Sequence, residues 1–109
     1  MTKGSREPGE ARADYLVNHT MDSKRSWSRA FPLPERSPSF ESANLLLHLD
    51  GGSRANSCSA AAWYLECVAG QVRFPVAMAG TFMQRPISSF EAESIALDEA
   101  VEALARYLS

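Results

Sequence analysis

The sequence has no uncharged apolar run near the roughly 20 residues a membrane-spanning helix needs. Its first residues, Met1-Thr-Lys-Gly-Ser-Arg-Glu-Pro8, hold no apolar core of a secretory signal. A soluble, intracellular chain is expected, cytoplasmic or nuclear, with no membrane partner. Cysteine is scarce. Two residues, Cys58 and Cys67, exclude a disulfide framework. Both fall in or beside one expected strand, so they are read as reduced packing residues. Charge imbalance is also small: a net charge of −2 gives no global pull toward nucleic acid or anionic membrane.

What is there is an ordinary apolar fraction of 45% in 109 residues, enough for one domain or part of one. The charge is uneven. Residues 1–43 hold seven Lys/Arg and six Asp/Glu, whereas residues 44–109 hold four and seven. Three segments follow. Residues 1–22 are a polar tail and a short amphipathic helix over 10–22, with Ala13, Leu16, Val17, Thr20 and Met21 on one face. Residues 23–43, rich in Ser and interrupted by Pro32, Pro34 and Pro38, read as a linker. Its Lys24, Arg25, Trp27 and Arg29 are a small basic-aromatic cluster, more simply a solvated linker with one docked Trp than a phosphate contact.

Residues 44–109 carry the main pattern. Leu45–Leu49 is an apolar strand, ended by Gly51-Gly52, with a turn over 53–58. Ser59–Val68 is a second strand, joined through Ala69-Gly70-Gln71 to a third over Val72–Met83, whose Pro75 argues for an edge position. A helix begins near Pro86, with Ser88 and Glu91 at capping-box spacing. Its expected buried stripe is Leu97, Val101, Leu104 and Leu108.

Two carboxylates stand out. Asp50 ends an apolar strand, where α/β sheets commonly place ligands. Glu93 lies four residues before Leu97 and is expected to project toward the sheet, where an acid needs a cation or donors. If the helix packs over the strand end, the two converge, and converging carboxylates are what Mg²⁺ takes as ligands. On the bland alternative, Asp50 begins an Asp-Gly turn and Glu93 snorkels to solvent or pairs with Arg54. His48 shares a strand face with Asp50 and reads as a hydrogen-bonded core histidine.

The stretch Leu45–Asn56, an apolar strand followed by Asp50-Gly51-Gly52 and Asn56, resembles the opening of type 1 ribonuclease H domains. Ala92-Glu93-Ser-Ile-Ala96-Leu97-Asp-Glu-Ala100 is similar to the start of that family's first helix, and the β-β-β-α order is the family's. The resemblance implies a partial ribonuclease H-like α/β fold: three antiparallel strands, one long helix and a short N-terminal helix. It places Asp50 and Glu93 on two of four metal-binding acids, holding Mg²⁺ or Mn²⁺ in a two-ion site that is incomplete here. It implies hydrolysis of RNA in RNA–DNA hybrids, weak or absent in so short a chain. Arg54, Asn56, Ser88 and Ser89 are the expected nucleic-acid contacts.

The chain departs from the pattern at Ser57-Cys58, where Pro-Gly is usual, and at Phe90, often polar. The N-terminal Ala13-Asp14-Tyr-Leu16-Val-Asn18 is similar to the family's last helix and puts Asp14 on the fourth acid; Glu10 stands where Asn is frequent. The tail of one such domain followed by the first half of another suggests a tandem, retroelement-derived array. The neighbour strand of Leu45–Leu49 is missing, which implies self-association or a complementary fragment. The alternative function is therefore a non-catalytic interaction module binding through that strand edge. A third reading is a generic β-β-β-α domain whose acids are only structural.

Overall fold

The computed structural model describes residues 8–32, 43–54 and 57–108. Its elements are α1 (Pro8–Ser23), β1 (Trp27–Ala30), β2 (Ala43–Arg54), β3 (Cys58–Ala69), β4 (Val72–Met83) and α2 (Ser89–Leu108). The strands form one antiparallel sheet in the order β1-β4-β3-β2. The fold is mixed α/β, with four strands rather than the three expected. No helix of the described residues is long and apolar enough to cross a membrane.

Two adjacent glycines fix the layers. A Cβ on Gly51 would lie 2.6 Å from Cβ of Ala92 in α2, and one on Gly52 would lie 2.9 Å from Cγ1 of Val17 in α1. Successive strand residues point to opposite faces, so α1 and α2 cover opposite sides of the sheet. The sequence places the end of the strand at these glycines; the structure does not. They lie within β2, which runs on to Arg54, and they admit both helices close to its backbone.

The core is correspondingly double. Leu16, Val17 and Met21 of α1 meet Cys58, Ala60 and Ala62 of β3. Each such large side chain, fully buried, contributes about 1.5–3 kcal/mol. On the other face Trp63, Leu65, Cys67, Ala77 and Ala79 meet Ala100, with Leu47, Leu49 and Leu104 beside them. Both cysteines are reduced and buried.

Three further expectations change. The linker of residues 23–43 contains a strand, β1, because local anchors hold it without an apolar pattern. Trp27 Nε1 donates to Thr20 Oγ1 at 2.9 Å, and Phe82 N–H donates to Ser26 Oγ at 2.9 Å. Lys24, with φ 56°, closes α1 in the left-handed conformation, its N–H bonded to the Thr20 carbonyl. Pro34 and Pro38 lie outside the described residues. Pro75 does not make β4 an edge strand: β1 pairs with residues 77–80. Pro75 itself lies beyond β1, opposite Glu66 at a bulge, where no second ladder is present among the described residues.

The buried stripe of α2 is Ala92, Ala96 and Ala100, not Leu97 and Val101, which are 46% and 53% exposed. Ala92 meets Gly51, and small side chains on this stripe let the helix come close to the strand. Ser88 caps the helix as expected, accepting the Glu91 N–H at 3.1 Å. The β3–β4 hairpin has the two-residue loop Gly70-Gln71, with Gly70 at φ 62°.

Candidate functional site

The start of α2 does sit over the end of β2. A Cβ at Gly51 would be 2.7 Å from the Glu93 nitrogen. The next step, convergence of the two acids, runs against strand alternation. Gly51 faces α2, so Asp50 points to the α1 face, opposite Ala62, half-buried, with its Oδ1 accepting the Gly51 N–H at 3.0 Å. Glu93 is exposed on the α2 side rather than directed into the core. Asp14 is half-buried on α1 and so shares Asp50's face, with its carbonyl bonded to Asn18 Nδ2 at 3.1 Å. Among the described residues no three His, Cys, Asp or Glu side chains gather in a way that could hold a metal ion.

The remaining expected contacts are scattered too. Arg54 pairs with Asp22 of α1 at 2.8 Å, across the sheet from Glu93, which removes the expected Arg54–Glu93 pair. Ser88 is occupied as the α2 cap. Ser89 begins the helix, and its side chain, like all of Asn56, lies outside the described residues. The basic-aromatic cluster resolves into a docked Trp27 and an Arg29 guanidinium 4.7 Å above the Phe31 ring.

What the sequence reading missed is a buried polar cluster on the α1 face. Glu66 accepts a hydrogen bond from Arg73 and contacts His48 Nε2 at 3.1 Å. The His48 ring stacks on Tyr64 at 6.0 Å. Burial, reinforced by the Glu66 charge, raises the Tyr64 phenol above its ordinary value of 10.0. His48 is thus the hydrogen-bonded core residue expected. The signal for the cluster was Glu66 inside an apolar strand, opposite Leu46 and diagonal to His48.

The larger feature is an edge. Among the described residues β2 pairs only with β3, so a twelve-residue strand presents one unpartnered side. Along it runs one flank of α2. Glu99 on the opposite flank bonds Thr81 of β4, so that flank looks inward over the sheet. Glu93, Leu97, Val101 and half-buried Leu104 lie on the other flank, which overhangs the free edge. Leu45, 45% exposed, and Phe90, 79% exposed, extend the apolar strip. A second opening, a groove of about 450 Å³, lies inward of α2, floored by Trp63, Ala79 and Gly80 and rimmed by Glu99 and Arg106. Neither protein families, nor characterised proteins, nor solved structures give a match to this chain.

Proposed function

We propose that the chain is a ribonuclease H-like interaction module, taking an extended segment of a partner along the outer edge of β2. The observation that carries this reading is the juxtaposition of that edge with the exposed Leu97–Val101 flank of α2. Strand addition draws affinity from main-chain hydrogen bonds and specificity from alternate side chains. Here the odd residues of β2 would set the added strand beneath the α2 flank, and the even ones on the side of His48 and Asp50. Long unpaired apolar edges are otherwise avoided, because they template aggregation.

The test is a titration of dilute protein with a synthetic peptide of alternating Val and Thr, followed by NMR. Saturable shifts confined to β2 and the α2 flank are expected. Shifts absent at millimolar peptide would overturn the reading.

A second reading, metal-dependent cleavage of RNA–DNA hybrids, rests on the likeness of Leu45–Asn56 and Ala92–Ala100 to the ribonuclease H pattern, with Asp50 and Glu93 on opposite faces of the sheet. On it, the partner segment would also complete the acidic set. It requires Mg²⁺- or Mn²⁺-dependent cleavage that Asp50→Asn abolishes. No cleavage at millimolar metal would exclude it for this chain.

A further inference from the structure

We infer that the strand β2 receives is a second copy of itself, joined antiparallel about a twofold axis at Leu49. This rests on the reading of β2 as a binding edge and names its occupant.

The residues of β2 suit one register. Antiparallel self-pairing about Leu49 sets His48 of each copy opposite Asp50 of the other, twice per interface. It also sets Leu47 opposite Gly51, Leu45 opposite Ser53, and Asn44 opposite Arg54. Directly opposed residues share a face, so His48 and Asp50 meet on the α1 side, where both already point. Like charges directly opposed would be unfavourable. In this register Asp50 does not face Asp50, nor Arg54 face Arg54.

The spacing of the helices suits it too. A twofold perpendicular to the sheet puts both α2 helices on one face. Each α2 lies over β2 and β3 and runs antiparallel to β2, with Ala92 at Gly51 and Ala100 to Leu104 near Leu47 and Leu49. Strands are about 4.8 Å apart. Helices centred between β2 and β3 would then have axes about 10 Å apart across the dyad, the separation at which helices pack. The flanks brought together are the exposed ones, with Leu97 near the axis. One pairing event thus covers both the ladder left open among the described residues and the apolar strip of α2. An exposed strip of this kind marks an interaction surface on a soluble chain.

The test is sedimentation of the full chain between micromolar and hundred-micromolar concentration, together with oxidation of the double variant Leu45→Cys/Ser53→Cys. A reversible species of twice the 11.9 kDa chain mass is expected, weakened at least tenfold by Leu97→Glu, a change at a half-exposed position. The double variant should cross-link into a covalent dimer, and Leu45→Cys alone should not, since its two thiols would lie roughly 27 Å apart along the strands. A dimer that the double variant fails to lock overturns the Leu49 register. A monomer at every concentration that still takes up the Val–Thr peptide overturns self-pairing and leaves the module reading standing. A monomer that ignores the peptide overturns both.

Discussion

Gly51 is the residue on which the α2 face turns. An added methyl would fall 2.6 Å from Ala92 Cβ and 2.7 Å from backbone atoms of Ala92 and Glu93, so the helix start must move. Gly51→Ala is expected to destabilise the chain by about 2 kcal/mol, as overpacking does, measured by urea unfolding. On the other face, Glu66 is the buried charge that holds Arg73 and His48. Glu66→Gln should cost about 2 kcal/mol, the scale of hydrogen bonds to charged groups. Tyr64 adds a pH signature. Its phenol is raised, so above pH 10 the unfolded chain ionises this tyrosine before the folded chain does. Stability should fall as pH rises from 10 toward the folded value, and Tyr64→Phe should flatten that part of the profile. Phenolate absorbance and unfolding at stepped pH check it. Asp50 and Glu93 were visible in the sequence as unusual acids. Their orientation was not, because it depends on which of two adjacent glycines each helix approaches, and Asp-Gly-Gly reads the same either way.

The secondary elements were unevenly legible. α1, β3, β4 and the Gly70 hairpin follow from helical spacing, apolar runs and turn chemistry. The helix cap at Ser88 follows from Ser-x-x-Glu. β1 was hidden because Trp-Ser-Arg-Ala has one partly buried residue and three exposed ones; side chains of α1 and its own Ser26 anchor it. α2 carries two stripes at helical spacing, one of alanine and one of leucine and valine. Size favoured the second as the core. Close approach at Gly51 selected the first, since a helix can sit that near a strand only on small side chains. The consequence is measurable at low concentration. Ala96→Leu should destabilise by about 1–3 kcal/mol, whereas Leu97→Ala should change stability by less than about 0.5 kcal/mol. The reverse ranking would mean that the leucine stripe is the buried one.

At the scale of the molecule, α1 and α2 sandwich a sheet whose last strand is covered on both faces and unpartnered along its side, among the described residues. A strand buried above and below ordinarily belongs inside a sheet, and β2 has the composition of one: Leu45, Leu46, Leu47 and Leu49 in succession. That mismatch between an interior sequence and an edge position, among the described residues, is the basis for the proposal that β2 takes up a further strand. The most direct test is residue-resolved amide hydrogen exchange of β2 in dilute solution. The open-edge account predicts that amides of β2 alternate along the strand, slow where they face β3 and near unprotected rates where they face outward, with the fast set slowed when the edge is occupied. Uniform slow exchange along all of β2 in the dilute monomer would contradict it, because the edge would then already be covered within the chain.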